Sequence, residues 1–222
     1  MNIIGISNNL YDNTSLFKKN KVHYIKDKSD LTHNNLLQYN PDYVFFPHWS
    51  HIINEEVYGN FNCIIFHMTD LPFGRGGSPL QNLLERKIYK TKISAIKCTH
   101  GLDTGDIYLQ RDFDISYGNA ENIYLRAAEI ISEMIDEMIV TNPIPKPQSG
   151  TVVSFKRRDT SQSNILPLND LETVYNHIRM LDAPGYPRAF IKNDSVKYEF
   201  FNVEMKDNVL RALVEIKREN NE

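Results

Sequence analysis

A histidine and an aspartate stand where one cleft can hold both. His67 closes the apolar run Cys63-Ile64-Ile65-Phe66, and Asp103 lies in the polar cluster Thr99-His100-Gly101-Leu102-Asp103-Thr104-Gly105-Asp106. An imidazole beside a carboxylate can manage the proton of an attacking amine or water and steady a tetrahedral oxyanion, which is what acyl transfer requires. No serine or cysteine nucleophile is needed. Between the two residues runs Met68-Thr69-Asp70-Leu71-Pro72-Phe73-Gly74-Arg75-Gly76-Gly77-Ser78-Pro79, a glycine-rich turn whose backbone can approach a planar or anionic ligand closely. It has neither the lysine-then-hydroxyl ending of a P-loop nor the spacing of a dinucleotide fingerprint. Taken singly, each feature also has a plain structural use: a histidine packed under a turn, a solvated Arg75, and aspartates at 103 and 106 capping backbone amides, with Asp106 the better cap.

Such residues need a frame. Strand-like runs at Ile3 to Ser7, Val22 to Ile25, Asp42 to Pro47 and Cys63 to His67, with a polar stretch at Asp30 to Tyr39, predict βα units around a parallel sheet. Tyr43-Val44-Phe45-Phe46 and Cys63-Ile64-Ile65-Phe66 are unbroken apolar runs, as in strands covered on both faces. His67 then falls at the C-terminal end of a central strand, where open α/β sheets keep their ligands. Ser78 reads as an N-cap with Pro79 at the first helical position and Leu80, Leu83 and Leu84 as the buried stripe. Ile93 to Cys98 and Ile107 to Gln110 flank the Asp103 cluster as strands, so that cluster is a loop. Ile123, Ala127, Ile130, Ile131, Met134 and Met138 recur at helical spacing until Pro143 stops them. Pro143, Pro145, Pro147 and Gly150 make a stiff connector, and a boundary is expected there, between a 1–147 catalytic domain and a 148–222 extension. The fold class is α/β: a Rossmann-like, mostly parallel sheet with helices on both faces and a small C-terminal α+β extension.

The chain has 222 residues and 41% hydrophobic content, enough for a sizeable core. With 25 basic and 28 acidic residues its formal charge is −3, which argues against nucleic acid or an anionic membrane as partner. No apolar stretch is long enough to span a bilayer, and the expected location is cytoplasmic. Cys63 and Cys98 lie in strand-like context that suits buried, reduced thiols, and no metal site is expected.

His67 to Pro79 together with Leu102-Asp103-Thr104-Gly105-Asp106 resembles, in order and spacing, the formyltransferases that use N10-formyltetrahydrofolate. That group includes methionyl-tRNA formyltransferase and the sugar N-formyltransferases. The likeness extends through residues 1 to 141, and Ile178-Arg179 with Ala183-Pro184-Gly185-Tyr186-Pro187-Arg188-Ala189-Phe190 resembles the sugar-modifying branch. The resemblance implies a Rossmann-like fold, N10-formyltetrahydrofolate as co-substrate without a metal, and a pterin site at His48-Trp49-Ser50, Leu71-Pro72 and Thr99, His100 and Leu102, with Arg75 and Gly76 of the turn beside it. It implies His67 and Asp103 as catalytic residues. The family's Asn-x-His places an asparagine at position 65, where this chain has Ile65, which cannot donate to an oxyanion. His48, ending the neighbouring strand, is the candidate replacement, with pterin packing as its alternative role.

The acceptor that the resemblance implies is the amine of a nucleotide-linked amino sugar. Lys156, Arg157 and Arg179 are then candidates for its diphosphate, Tyr186 for stacking, and Asn8 and Tyr11, after the first strand, for the ligand crevice. Formyltetrahydrofolate hydrolysis, transfer to another amine such as that of methionyl-tRNA, and a non-catalytic nucleotide-sugar binder stay open as alternatives. The apolar positions Val209, Leu210, Leu213 and Val214 leave two uses open, packing internally or building a homodimer.

Overall fold

The computed structural model describes residues 1–7, 9–19 and 21–218. Its strands are β1 (Asn2–Ile6), β2 (Val22–Ile25), β3 (Val44–His48), β4 (Cys63–His67), β5 (Phe73–Gly76), β6 (Lys90–Lys97), β7 (Ile107–Asp114), β8 (Val153–Phe155), β9 (Ala189–Lys192), β10 (Val196–Lys206) and β11 (Val209–Arg218). Its α-helices are α1 (His33–Tyr39), α2 (Glu55–Tyr58), α3 (Pro79–Glu85), α4 (Ala120–Thr141) and α5 (Leu171–Arg179). Contacts group the chain into two compact units. The first comprises Met1–Gly76, Thr91–Phe113 and Leu125–Ser154; the second comprises Gly77–Lys90, Asp114–Tyr124 and the chain from Phe155. Where the sequence suggests one boundary after Pro147, the chain thus passes between the units several times, the last between Ser154 and Phe155.

The first unit is built on a six-stranded sheet in the order β2-β1-β3-β4-β6-β7. β2, β1, β3 and β4 run parallel and β6 pairs antiparallel with β4. Register follows the apolar runs: Val44 pairs with Cys63, Phe45 with Ile64 and Phe46 with Ile65. Ile3, Ile4, Val44, Phe45, Cys63, Ile64, Ala95 and Ile96 are all buried, so the central strands are covered on both faces as their composition requires. Each large aliphatic or aromatic side chain so buried contributes about 1.5–3 kcal/mol, and these strand residues are what fix the C-terminal strand ends in place. Cys63 and Cys98 are free, buried thiols, and burial pushes Cys98 up to about 11 and Cys63 higher still. They form core, not chemistry.

The glycine-rich turn differs from its sequence reading. Its second half is strand β5, paired with β8. Gly74 and Gly76 hold φ values of 79° and 112°, a backbone that side-chain-bearing residues rarely adopt, so only glycine lets this short strand form. Val153 N–H donates to Pro72 O at 3.3 Å and anchors the turn from the other strand.

In the second unit α3 buries Leu80, Leu83 and Leu84 as predicted, but Ser78 is no side-chain cap. It has φ 52°, and its hydroxyl accepts instead from Arg158 N–H at 3.1 Å, a demand from distant sequence that the local pattern could not show. Asp170 caps α5 by accepting from Thr173 N–H at 2.9 Å. β9, β10 and β11 form an antiparallel sheet, with Tyr198 opposite Ile216 and Phe200 opposite Val214. Val209, Leu213 and Val214 are exposed on it, so they are not packed internally within the chain. Among the described residues, no helix is long and apolar enough to cross a membrane.

Candidate active site

His67 ends β4 and Asp103 lies in the loop that joins β6 to β7, and the structure brings them together. His67 Nδ1 is 3.5 Å from Asp103 Oδ2, with both side chains 8% exposed. The carboxylate is held from a second side, since Gly76 N–H donates to the same Oδ2 at 2.9 Å. His67 Nε2 donates to Gly74 O at 2.8 Å. Both ring nitrogens therefore face acceptors. A neutral imidazole carries one N–H and donates to one of these partners at a time.

Asp103 has φ 53°. Aspartate is among the few residues that tolerate this left-handed conformation, and strain of this kind tends to gather at functional sites. Around the pair the loops are closely bonded. Ser94 Oγ donates to Thr69 O at 2.7 Å, and Gln110 Nε2 donates to Ser94 Oγ at 2.9 Å. Thr99 and Thr104 hydroxyls meet at 3.1 Å across the Asp103 loop.

The other sequence candidates of the first unit fall as follows. His48 and His67 end neighbouring parallel strands, and the pair Phe46–Ile65 two residues earlier puts both side chains on the same sheet face. The His48 ring lies 5.1 Å from that of Tyr11, which is itself buried, and burial pushes the imidazole down to about 4, so it is neutral at physiological pH. Ile65 packs with Trp49 against the apolar cluster of Val44, Phe46 and Cys63. Trp49 meets the Phe46 ring edge-on at 5.6 Å, and its indole N–H, buried, has no hydrogen-bond partner among the described residues. A buried, unspent donor fits a ligand that brings an acceptor. Ser50 N–H donates to Ser7 Oγ at 3.2 Å. His100 is exposed, and Leu102, 71% exposed, sets an apolar side chain at the surface beside the buried Asp103. Leu71 and Pro72 are buried, and Pro72 O accepts from Val153 N–H. Asn8 lies outside the described residues.

The guanidinium of Arg75 is engaged by Gln148, whose Oε1 accepts from Nε at 3.1 Å and Nη2 at 2.7 Å. Gln148 is absent from the sequence-level candidates. The signal available was the Pro-x-Pro-x-Pro segment before it, which delivers a side chain rigidly but does not say which one, or where.

In the second unit two substrate assignments are corrected. Arg179 is 1% exposed: Nε donates to Asn176 Oδ1 at 2.9 Å and Nη1 to Ile115 O and Gly118 O at 3.0 and 2.9 Å, with its charge over the Tyr175 and Tyr89 rings. A guanidinium so committed is a core tie, not a diphosphate ligand. Arg179→Ala is expected to lower stability by about 3 kcal/mol or more, through the cavity and the abandoned carbonyls. A melting temperature equal to wild type would refute that assignment. Tyr186 stacks on Tyr124, with centroids 5.4 Å apart, and burial raises its phenol. It packs the tail. Lys156 and Arg157 are exposed, with the Arg157 backbone closely against Gly77.

Comparison with known proteins gives this geometry a family. Residues 6–138 match the family model described as Formyl transferase, and 160–217 match one described as Methionyl-tRNA formyltransferase, C-terminal domain. The chain belongs to the formyl transferase family. A methionyl-tRNA formyltransferase of Thermotoga sp. (strain RQ2) is 30% identical over 171 residues, covering 71% of this chain and 53% of that protein. The chain spans about half the length of the curated relatives it matches. The solved structure titled methionyl-tRNA formyltransferase from Clostridium thermocellum is 48% identical, with a TM-score of 0.93 over 99% of this chain and 100% of that one. A 4-N formyltransferase from Francisella tularensis shares the fold, with a TM-score of 0.62 at 16% identity, covering 96% of each chain. The tail that the sequence ties to the sugar-modifying branch is thus the part matched by the methionyl-tRNA formyltransferase C-terminal model.

Proposed function

We propose that this formyl transferase family member carries a formyl group from N10-formyltetrahydrofolate to an amine. The observation that carries the reading is the buried pairing of His67 with Asp103 at 3.5 Å on the two family motifs. The folate supplies a formyl carbon to which the amine bonds, giving a tetrahedral oxyanion that collapses as the bond to N10 breaks. Trp49, Leu102 and the Leu71–Pro72 backbone would hold the pterin. Asp103 Oδ2 and His67 accept the amine's proton as a unit and return it to the departing N10, and the imidazolium formed by that transfer opposes the oxyanion's charge. Ile65 leaves the oxyanion one donor short of the family pattern. His48, which ends the neighbouring strand β3 and is neutral at physiological pH, is the candidate for that part.

For the acceptor, the amine of methionyl-tRNA is the first reading, supported by the C-terminal family match and by the relatives' names. A nucleotide-linked amino sugar is the second, favoured by the formal charge of −3, which offers a polyanionic tRNA little attraction, and by exposed Lys156 and Arg157.

Incubation with N10-formyltetrahydrofolate and either methionyl-tRNA or a panel of nucleotide-linked amino sugars, with product analysis to separate transfer from hydrolysis, tests both readings. Absence of folate binding by calorimetry would defeat them together. With a competent acceptor in hand, His48→Ala should lower turnover about a hundredfold, the usual cost of one oxyanion donor. Near-normal turnover would remove His48 from that role.

A further inference from the structure

Gln148 touches both loops of the site and uses every hydrogen-bonding position of its amide. Oε1 accepts twice from the Arg75 guanidinium, and Nε2 donates to Asp103 O and to Gly105 O, each at 2.8 Å. A primary amide has two lone pairs and two hydrogens to offer, and all four are spent here. Arg75 precedes Gly76, whose N–H holds the Asp103 carboxylate. The contacts therefore close a ring: Gly76 to the Asp103 side chain, the Asp103 backbone to Gln148, and Gln148 to Arg75, the residue next to Gly76. The connector that carries Gln148 is itself fixed. Lys146 exchanges backbone hydrogen bonds with Ile107, at 2.8 and 2.9 Å, and Val153 N–H is bonded to Pro72 O. Pro145 and Pro147 flank Lys146 and lock φ on either side of that bridge.

We propose that Gln148 is a positioning residue for formyl transfer, the brace that sets the Asp103 carboxylate against His67 by tying the Asp103 loop to the glycine-rich turn. It acts through Asp103 and touches no reacting atom. The backbone of Asp103 is in the left-handed region, and a residue held there needs its carbonyl fixed from outside. Gln148 Nε2 supplies that hold. The role rests on the formyl-transfer reading for its effect on rate, but the brace itself is a property of the protein alone.

Two substitutions separate positioning from bulk stability. Gln148→Leu keeps much of the volume and removes all four bonds. Gln148→Glu strengthens the contact with Arg75 but sets a carboxylate oxygen against the carbonyls of Asp103 and Gly105. Were the residue there only to hold Arg75, the glutamate would serve at least as well as glutamine.

Both variants are expected to lose about ten- to a hundredfold in kcat, with the folate KM within about threefold of wild type, since a misplacement near 1 Å costs that much. Amide hydrogen exchange at Gly76 should accelerate about tenfold or more, while amides of β1, β3 and β4 keep their wild-type protection, the mark of local release. Wild-type kcat in Gln148→Glu, or unchanged Gly76 exchange in both variants, overturns the proposal. If the wild-type protein transfers no formyl group, the functional reading fails separately, and Gly76 exchange alone then upholds or refutes the brace.

Discussion

Asp103→Asn is expected to lower formyl transfer by about a thousandfold or more while leaving the fold and folate binding intact. Asparagine is nearly the same size and tolerates the φ of 53° at this position, so the loop keeps its path. What changes is the charge opposite His67 Nδ1. The carboxylate now receives Gly76 N–H at 2.9 Å and faces the imidazole at 3.5 Å; an amide can face one of these partners with oxygen but turns its NH2 to the other and carries no charge. In the better-known serine hydrolases the matching substitution beside a catalytic histidine costs about four orders of magnitude in kcat, through the wrong tautomer rather than through unfolding. His67→Ala should cost a comparable factor. The double variant should be little worse than either single one, because groups that act as a unit are strongly non-additive. Single-turnover rates at saturating folate, with calorimetry for binding and a melting curve for fold, make the measurement. A rate within tenfold of wild type in Asp103→Asn would show that the pair is structural and that another group moves the proton.

Much of this site is legible before any coordinates. Unbroken apolar runs place β3 and β4 inside a sheet, alternation puts Cys63, Ile65 and His67 on one face, and Pro143 ends α4 within two residues of its observed end. The motifs name both His67 and Asp103, but β4 and β6 pair antiparallel, with Ile64 opposite Lys97 and His67 opposite Ser94, so the contact between them comes from the path of the loop after β6 and not from the strand ends. What stays hidden is whatever depends on a partner distant in sequence. Arg179 looks like a free cation because nothing near it in sequence announces the carbonyls of Ile115 and Gly118 that claim it. Ser78 has the identity of a cap, yet its hydroxyl is taken by Arg158 N–H from 80 residues away. Gln148 is the converse case: an unremarkable polar residue in a proline-rich stretch, important only because of where the Lys146 bridge sets it. Local chemistry marks the residues that react, whereas tertiary bonding decides which residues hold them.

Gly105→Ala is expected to damage stability and activity together, because the chain at this point passes directly over the end of β6. A Cβ built on Gly105 would lie 1.7 Å from Lys97 O and 2.8 Å from Lys97 C, atoms of backbone that cannot rotate aside. The obstacle is close approach, not an unusual φ. Lys97 N–H donates to Asp106 O at 2.9 Å, so the loop is tied to β6 one residue beyond the clash and has little freedom to lift away. Relief requires a backbone shift that breaks this bond or the one from Gln148 Nε2 to Gly105 O, and either route moves Asp103, two residues upstream. Overpacking against a fixed element of this kind costs about 3 kcal/mol or more, and a displacement near 1 Å at Asp103 costs about a hundredfold in rate. Urea unfolding should show a lower midpoint with an unchanged slope, the signature of lost native stability rather than an altered unfolded state. Formyl transfer measured well below that midpoint should still be depressed, since the surviving folded molecules carry a displaced carboxylate. A variant with the wild-type midpoint and rate would mean that the loop has room to move, and that the position of Asp103 is not fixed by its contact with β6.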